Sequence, residues 1–360
     1  MIDIYSNFYK GKKVLVTGHT GFKGSWLSIW LHELGAEVVG VGLDPYSEKD
    51  NFVLSGIGKK IKADIRADIR DCEEIKEIFA KYQPEIVFHL AAQPLVRLSY
   101  EIPVYTYQTN VMGTINIMEA IRATDSVKVG VMITTDKCYD NKEQLTSYKE
   151  EDPFGGYDPY SSSKGACEIA IQSWRRSFFN PEDYGKKHHV SLASVRAGNV
   201  IGGGDWASDR IIPDCIRALE AGKPIEIRSP KAVRPWEHVL EPLSGYMLLA
   251  HKMWENPTEY CEGWNFGPES DAISNVWEVA TELVKNFGKG ELEDLSGPNA
   301  VHEANLLLLD ITKVKIRLGW KPCMDMKQTM NLVTDWYKRY KNEDVYSICI
   351  DEINKFIGKK

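Results

Sequence analysis

The chain contains 360 residues, carries a net charge of −7, and is 43% hydrophobic and 26% charged. This length exceeds that of one ordinary core and predicts a large α/β domain together with a smaller lobe. The negative charge argues against nonspecific binding to nucleic acid, and no apolar run approaches the roughly 20 residues that a membrane-spanning helix needs.

Targeting and redox features favour the cytoplasm. The N-terminal residues lack the apolar segment and cleavage site of a secretory signal peptide. The seven cysteines show no CxxC spacing, and the eight histidines form no zinc-binding pattern. We therefore expect a cytoplasmic protein with reduced thiols and no bound metal.

The first 200 residues alternate between short apolar strands and helices. Strands are predicted at 12–18, 37–44, 85–92, 127–134 and 189–196. Helices are predicted at 24–35, 71–82, 101–122 and 161–178. Continuous apolar strands between helices indicate a parallel sheet with both faces covered, so we expect an α/β protein with a Rossmann-type doubly wound parallel sheet.

Beyond about residue 200, glycine and proline become dense and helices dominate, as at 273–288 and 326–340. We interpret this part as a smaller, mostly helical C-terminal substrate lobe. The predicted nucleotide-binding domain comprises residues 1–200 and about 235–265, and the predicted substrate lobe comprises about 201–234 and 266–360. The one internal duplication, ADIRADIR at 63–70, is too short for a repeat architecture.

Three glycines, Gly18, Gly21 and Gly24, stand at three-residue spacing between the first strand and the first helix. Glycine permits a tight turn and a close approach of the backbone to a pyrophosphate, and a helix N-terminus favours negative charge. Asp44 lies twenty residues beyond Gly24, at the end of the next strand. A carboxylate there binds ribose hydroxyls and repels a 2′-phosphate, so the pattern predicts NAD rather than NADP.

Other side chains near this loop are candidate cofactor contacts. His19 and Lys23 occupy loop positions where small or apolar residues are commoner, and they either face solvent or touch the phosphates. His89 ends a strand and is expected to be a hydrogen-bonded core histidine. The further predicted contacts are Phe22, Asp68, Ile69 and Ala91.

Tyr160 and Lys164 are four residues apart and share one face of a predicted helix, which follows Pro159. A lysine ammonium near a phenol stabilises the phenolate and lowers its pKa, which makes tyrosine usable as a base near neutral pH. The spacing also occurs elsewhere in the chain, but outside the nucleotide-binding pattern. We therefore predict that Tyr160 and Lys164 form a catalytic pair.

The strand at 127–134 runs directly into Thr135, Asp136 and Lys137. An acid beside an amine is either a salt bridge at a strand end or a pair of catalytic groups. The Tyr–Lys helix follows this strand end by about one loop, so both sets of side chains can face one cleft. In that setting we favour the catalytic interpretation.

Several motifs together resemble the extended short-chain dehydrogenase/reductase family. They are the glycine loop, NVMGT at 110–114, TTDK at 134–137, YSSSK at 160–164 and RAGNVIG at 196–202. Within that family, HLAAQPLVRLSYE at 89–101 and RPWEHV at 234–239 are similar to the nucleotide-diphosphate-sugar 4,6-dehydratases. The commoner dTDP-sugar pattern has Asp–Glu where this chain has Asp136–Lys137, and this difference fits the branch that acts on CDP-sugars.

The resemblance implies NAD-dependent dehydration of CDP-glucose to a 4-keto-6-deoxy sugar. It assigns Tyr160 to the C4 hydroxyl proton, Thr135 to the C4 oxygen, and Lys164 to the pKa of the tyrosine and to the nicotinamide ribose. Asp136 or Lys137 removes the C5 proton, and the other protonates the departing 6-hydroxyl. Which of the two is the acid stays open.

An acidic protein must bind an anionic sugar nucleotide with local groups. Guanidinium groups match phosphate oxygens in pairs, which makes Arg97 and Arg210 candidates. The resemblance places Asn199 and Arg234 on the pyrophosphate side of the substrate and Glu303 near the nucleoside ribose. A surface or interdomain salt bridge is the alternative role for such an arginine.

Two rival functions share these features. A nucleotide-sugar 4-epimerase uses the same Tyr–Lys pair and NAD but needs no acid–amine pair, so Asp136 and Lys137 discriminate against it. A non-catalytic NAD-sensing protein would commonly lose the tyrosine or the lysine. The helices at 101–122 and 161–178 resemble those that pair subunits in this family, which implies a homodimer.

Overall fold

The computed structural model describes residues 7–143, 146–269, 273–296 and 306–358. Its strands are β1 (Lys13–Thr17), β2 (Glu37–Gly42), β3 (Ala63–Arg66), β4 (Ile86–His89), β5 (Val129–Ile133), β6 (Ser191–Ala197), β7 (Asn199–Ile201), β8 (Ile225–Ile227), β9 (Val233–His238), β10 (Gly263–Phe266), β11 (Ile273–Asn275) and β12 (Leu292–Asp294). Its α-helices are α1 (Phe22–Glu33), α2 (Asn51–Ser55), α3 (Cys72–Tyr82), α4 (Val96–Glu101), α5 (Pro103–Tyr107), α6 (Gly113–Arg122), α7 (Pro159–Ser177), α8 (Ile211–Ala221), α9 (Leu240–Glu255), α10 (Val276–Phe287), α11 (Met326–Arg339) and α12 (Val345–Ile357).

A parallel seven-stranded sheet forms the centre of the molecule. The strand order is β10-β6-β5-β4-β1-β2-β3, and every neighbouring pair in it is parallel. The chain proceeds outward from β1 through β2 and β3, and then returns to place β4 on the other side of β1. This confirms the predicted Rossmann-type doubly wound sheet and puts the reversal of strand order, where such folds bind ligands, between β1 and β4.

The strands are apolar because both faces of the sheet are covered. In β1, Val14 and Val16 join one hydrophobic core and Leu15 joins the other. Successive side chains of a strand point to opposite faces of the sheet. A strand of consecutive apolar residues therefore indicates that both faces are buried.

Helix α1 is buried on all sides rather than on one face. Its residues from Gly24 to Leu31 are buried without a break. The hydroxyls of Ser25 and Ser28 donate to helix carbonyl groups, which satisfies their polar atoms inside the core. On the side away from the sheet, Trp30 meets Phe356 of α12 edge to face, with ring centroids 5.7 Å apart.

The helix predicted at 101–122 is confirmed from Pro103 onward. Helix α5, a π-helical turn at Gln108–Met112 and α6 follow one another without a gap as far as Arg122, and Ile102 separates them from the short α4. Pro103 begins α5, because proline has no N–H to donate and tolerates only the first turn of a helix.

The second lobe contains small sheets and several helices. Strand β9 pairs with β11 in antiparallel and with β7 in parallel orientation, and β8 pairs with β12. The helix predicted from residue 273 begins at Val276, because Asn275 and Glu278 form a capping box at its start. None of the helices in the described ranges is long and apolar enough to span a membrane.

The last helix returns to the nucleotide-binding half of the molecule. Helix α12 packs against α1 and α2, so the C-terminal part of the chain covers the outer face of the helix that follows the glycine loop. The predicted division of the chain into two domains stays a prediction.

Candidate active site

The glycine loop is folded too tightly to accept side chains. Gly18 has a positive φ of 72°, and its N–H donates to the carbonyl of Val41 at 2.7 Å. A Cβ on Gly24 would lie 2.1 Å from the carbonyl oxygen of Gly18, and one on Gly18 would lie 2.7 Å from the nitrogen of Ala91. The loop therefore packs directly on the end of β4, as a dinucleotide fold requires.

The predicted ribose-binding carboxylate is held by an arginine that the sequence analysis missed. Asp44 is exposed, and its Oδ1 accepts from the Nε of Arg66 at 3.0 Å. Arg66 also binds Asp64, whose Oδ1 lies 2.7 Å from the Nε2 of His19. Asp44 thus stands at the end of β2 as expected, in a charged chain that continues to the glycine loop.

The side chain of His19 does not face solvent, and its predicted phosphate contact stays a prediction. Its ring is fully buried, and a Cβ on Gly40 would come within 2.2 Å of it. The solvent-facing alternative is therefore wrong for this residue. Burial lowers the pKa of His19, while the hydrogen bond with Asp64 acts in the opposite direction.

The short duplication ADIRADIR has a structural meaning. Each copy forms an aspartate–arginine pair two residues apart: Asp64 with Arg66, and Asp68 with Arg70. Ile69 is buried, and a Cβ on Gly113 would meet its side chain. The predicted cofactor contacts of Asp68 and Ile69 stay predictions.

A cleft of about 900 Å³ opens between the carboxyl edge of the sheet and the second lobe. It brings together most of the catalytic and substrate-binding residues that the sequence predicts. The predicted residues that line it are Phe22, Lys23, Arg97, Thr135, Lys137, Tyr160, Asn199, Arg210 and Arg234.

Tyr160 and Lys164 occupy the first turns of α7. Pro159 is the first residue of this helix, and the Asp158 side chain accepts from the N–H of Ser161 at 2.9 Å. The Nζ of Lys164 donates to the carbonyl of Ile133 at 3.4 Å, at the end of β5. The helix start therefore fixes both side chains against the edge of the sheet.

Burial moves the pKa values of this pair toward their neutral forms. It raises the pKa of Tyr160, while a hydrogen bond with Thr135 acts in the opposite direction. Burial likewise lowers the pKa of Lys164. The lowered pKa that the sequence predicts for Tyr160 is thus wrong for the protein alone, because removal of the phenolate from water is the largest contribution.

The acid and the amine at the end of β5 are neighbours with spare hydrogen-bonding capacity. Asp136 is fully buried, and its Oδ1 accepts from the hydroxyl of Thr135 at 2.8 Å. The Nζ of Lys137 lies 3.6 Å from that Oδ1 and 3.3 Å from the Oδ1 of Asn199. Within the described ranges, Oδ2 of Asp136 is buried and has no hydrogen-bond partner, and Asp136 is not among the residues that line the cleft.

Two arginines from opposite sides of the cleft converge on one carboxylate. Oδ1 of Asp209 lies 3.4 Å from Nη1 of Arg97 and 2.7 Å from Nη1 of Arg228. Asp209 has a φ of 61°, in the left-handed region that residues other than glycine rarely adopt. All three residues line the cleft. The alternative role of Arg97, a salt bridge, is therefore present in the structure.

Further cationic groups lie deeper in the cleft. Arg210 binds Asp205 at 2.8 Å. Burial lowers the pKa of Lys23 to about 8, and the positive charges of Arg210 and Lys164 add to this effect. Arg234 donates to the carbonyl of Val233 at 2.9 Å. The cleft thus contains several positive side chains although the chain as a whole is acidic.

Some predicted residues have other positions. Glu303 lies outside the described residues. His89 is a hydrogen-bonded core histidine, as predicted: its ring nitrogens lie 2.8 Å from the hydroxyl of Thr17 and 3.0 Å from that of Thr114. Burial lowers its pKa to about 3, so the imidazole is neutral.

Polar residues that no sequence pattern identified also lie around the cleft or behind it. Glu168 stands one helical turn beyond Lys164, and this spacing was the available signal. Asp205 and Arg228 lie in glycine- and proline-rich segments without a periodic pattern, so nothing in the sequence connects them to the cleft.

The fold is that of the extended short-chain dehydrogenases/reductases. A family model described as GDP-mannose 4,6 dehydratase matches residues 15–333. The chain is 47% identical over 359 residues to a CDP-glucose 4,6-dehydratase of Salmonella typhimurium, with 99% of each protein covered. The chain therefore belongs to the family that this model describes.

More distant relatives and solved structures have the same overall arrangement. A dTDP-glucose 4,6-dehydratase of Haemophilus influenzae is 26% identical, over 90% of this chain and 97% of that protein. The crystal structure of a dTDP-glucose 4,6-dehydratase from Bacillus anthracis in complex with NAD is 21% identical, has a TM-score of 0.75, and covers 94% of this chain and 100% of that chain. A UDP-glucose 4-epimerase from Thermus thermophilus in complex with NAD is 23% identical, has a TM-score of 0.76, and covers 90% of this chain and 98% of that chain.

The glycine loop allows a direct test of the nucleotide site. Gly24→Ala places a methyl group against the carbonyl oxygen of Gly18, so the loop must open. We expect NAD to bind about 10- to 100-fold more weakly, as judged from the cost of overpacking a tight site. Titration of the protein with NAD by calorimetry measures this change.

The matched control is Gly358→Ala, because a Cβ there meets its nearest atom at 3.5 Å, an ordinary contact. Unchanged NAD affinity in a folded Gly24→Ala variant would contradict the assignment of this loop.

Proposed function

We propose that the chain is an NAD-dependent enzyme that dehydrates CDP-D-glucose to CDP-4-keto-6-deoxy-D-glucose. Thr135, Lys137 and Tyr160 line one cleft, and the buried carboxylate of Asp136 contacts both Thr135 and Lys137 at its wall; this arrangement carries the proposal. The 47% identity to a CDP-glucose 4,6-dehydratase over almost the whole chain supports the choice of reaction and substrate. The rival 4-epimerase has no use for a second pair of acid and base groups.

The reaction requires both pairs of groups. The C5 proton of glucose is not acidic, and hydroxide is a poor leaving group. Oxidation at C4 creates a ketone next to C5, so the carbanion formed on removal of the C5 proton delocalises into that carbonyl. The enzyme therefore needs one base for the C4 hydroxyl, a second base for C5 and an acid for the 6-hydroxyl.

The residues present fit NAD. The glycine loop admits no side chains at Gly18 and Gly24, so its backbone can approach a pyrophosphate, and Asp44 follows β2, where a carboxylate can bind ribose hydroxyls. When bound, NAD supplies a positively charged ring that accepts hydride from C4 and later returns it to C6. Lys164 lies near Tyr160 and β5, in a position to donate to the nicotinamide ribose.

Tyr160 removes the proton of the C4 hydroxyl. Thr135 and Tyr160 line the same cleft, and the Thr135 hydroxyl is the group that we assign to the C4 oxygen of the sugar. Since burial favours the neutral phenol, nearby positive charge is needed to make Tyr160 an effective base. Lys164 is the nearest such group on the same helix.

Asp136 and Lys137 carry out the elimination. One removes the C5 proton, and the other protonates the 6-hydroxyl so that it departs as water. We assign Asp136 to this step although its carboxylate is buried, because its Oδ1 accepts from Thr135 and lies 3.6 Å from the Nζ of Lys137, and both of these residues line the cleft. Asn199 accepts a hydrogen bond from Lys137 and thereby orients the amine, a role in addition to the pyrophosphate contact that the resemblance implies.

The diphosphate of the substrate binds among the cationic groups of the cleft. Arg97, Arg210 and Arg234 line it, and guanidinium groups bind phosphate oxygens in pairs. We further propose that the protein is cytoplasmic, because all seven cysteines are free thiols.

Product analysis tests the proposed function. Incubation with NAD and CDP-glucose carrying deuterium at C4 is expected to give a 4-keto-6-deoxy sugar whose methyl group contains that deuterium, because the hydride removed from C4 returns to C6. NMR spectroscopy detects it. Parallel reactions with dTDP- and GDP-glucose test the nucleotide preference, and a C4 epimer without loss of water would identify the rival function.

Substitutions at the strand end separate the two halves of the reaction. Lys137→Met and Asp136→Asn should each lower turnover by about 10²- to 10⁴-fold, the usual contribution of a general acid or base. The variant that lost the base should also stop exchange of the C5 proton with solvent, whereas the variant that lost the acid should retain it. Deuterium exchange followed by NMR distinguishes them.

NAD affinity of both variants should stay unchanged, which serves as the internal control. Full turnover in the Lys137→Met variant would remove Lys137 from the mechanism.

We also propose that the protein forms a homodimer through α4, α5, α6 and α7. Exposed apolar side chains project from this part of the chain. They are Tyr100, Val104, Tyr107, Met112 and Ile169, with exposed fractions of 42%, 70%, 38%, 50% and 60%. A group of this kind on neighbouring helices is typical of a subunit interface.

Val104→Glu tests this interface. A charge buried at a subunit contact is unfavourable, so the variant should dissociate into monomers. Size-exclusion chromatography with light scattering measures the mass. Ile316→Glu is the matched control, because Ile316 is 77% exposed in a different part of the molecule. A dimer that persists in Val104→Glu, or a monomeric wild type, would contradict the proposal.

A further inference from the structure

A buried ion pair lies directly behind the catalytic residues. Glu168 is on α7, four residues after Lys164, and Arg196 is on β6. Nε of Arg196 donates to Oε1 of Glu168 at 2.9 Å, and Nη2 donates to Oε2 at 2.9 Å. The side chains are 1% and 0% exposed. Two parallel hydrogen bonds of this kind fix orientation as well as distance.

Glu168 also holds the beginning of the catalytic segment. Its Oε1 accepts from the hydroxyl of Thr134 at 2.5 Å, and its Oε2 accepts from the hydroxyl of Ser194 at 2.8 Å. Burial alone would raise the pKa of Glu168, but Arg196 and these hydroxyl donors outweigh it, and the pKa is lowered. The carboxylate is therefore charged, and four hydrogen bonds hold it in one orientation.

Arg196 holds the other end of the same segment. Its Nη1 donates to the hydroxyl of Tyr139 at 2.5 Å and to the carbonyl of Glu150 at 3.1 Å. The Tyr139 hydroxyl in turn donates to Oδ1 of Asn265 at 2.7 Å. The two ends of the segment 134–139 are thus attached to one ion pair, and the residues between them include Thr135, Asp136 and Lys137.

We propose that the Glu168–Arg196 pair positions the elimination groups relative to the oxidation groups. The pair stands on the helix that carries Tyr160 and Lys164, and it holds both ends of the segment that carries Asp136 and Lys137. Glu168 and Arg196 touch none of the reacting atoms, so they are positioning residues. This inference rests on the proposed function, because it concerns how two halves of that reaction share one sugar.

The hydroxyl of Tyr139 is the contact to remove first. Tyr139→Phe keeps the ring stacked on Tyr148, with centroids 5.2 Å apart, and loses only the hydrogen bonds at the Lys137 end of the segment. Oxidation at C4 should continue, whereas elimination should slow by about 10- to 100-fold, the usual cost of a displacement near 1 Å. Reduced nicotinamide should then accumulate in a single turnover, with KM for CDP-glucose unchanged.

Tyr9→Phe is the matched control. Tyr9 is fully buried, and its hydroxyl donates to the carbonyl of Met247 at 2.7 Å, in the core away from the cleft. Tyr9→Phe, like Tyr139→Phe, removes the hydrogen bond of a buried tyrosine hydroxyl. A general loss of stability would therefore affect both variants alike. Only Tyr139→Phe should cause accumulation of reduced nicotinamide.

Hydrogen exchange provides a readout that does not depend on turnover. The amides of residues 135–138 should exchange faster in Tyr139→Phe than in the wild type, and should be unchanged in Tyr9→Phe. If the two variants behave alike in both measurements, the proposal is overturned. If the wild type does not dehydrate CDP-glucose, the proposed function fails, and the exchange comparison alone still supports or overturns the role of the ion pair.

A second pair of variants covers the case in which Tyr139→Phe does not fold. Thr134→Ser keeps the hydroxyl that donates to Glu168, and Thr134→Val removes it at nearly the same volume. We expect Thr134→Ser to complete the reaction without accumulating reduced nicotinamide. We expect the amides of residues 135–138 to exchange faster in Thr134→Val. Equal exchange in both would overturn the proposal.

Discussion

Hydrogen bonding of β1 to both β2 and β4 fixes the place where the sheet reverses its direction of growth. Strands on the two sides of this point lead their following loops away from each other, which leaves a crevice at the carboxyl edge. The glycine loop enters that crevice from β1, and the catalytic segment enters it from β5. The whole site therefore depends on a parallel sheet whose strands are apolar on both faces.

Burial is the second general influence on this site. It shifts the pKa of both Tyr160 and Lys164 toward their neutral forms, so the protein alone does not have its base ready in charged form. In the proposed mechanism, positive charge near the phenol must therefore offset the effect of burial, and Lys164 is the group assigned to this role.

Much of the fold follows from local sequence patterns, because a strand buried on both faces must be apolar and a glycine loop must lack side chains. The positions of Tyr160, Asp136 and Lys137 follow for the same reason: they lie at ends of predictable elements. The start of α5 at Pro103 is also readable from the sequence, because proline is tolerated only in the first turn of a helix. The binding partners of Arg66, Asp209 and Arg196 could not be predicted from the sequence, because each contact depends on a distant element or on the register of the sheet. The pKa of Tyr160 was predicted in the wrong direction, because burial cannot be measured from spacing.

The carboxylate of Asp209 lies between Arg97 and Arg228, and its displacement adds a cost to the free energy of ligand binding. In the proposed complex, a diphosphate entering the cleft meets guanidinium groups that already hold an anion, so it must replace a resident counterion. A singly charged anion that replaces Asp209 gains little binding free energy. A ligand that bridges both arginines at once gains more. In the proposed complex, this exchange favours the doubly charged linkage of a sugar nucleotide over simple anions, at the expense of absolute affinity.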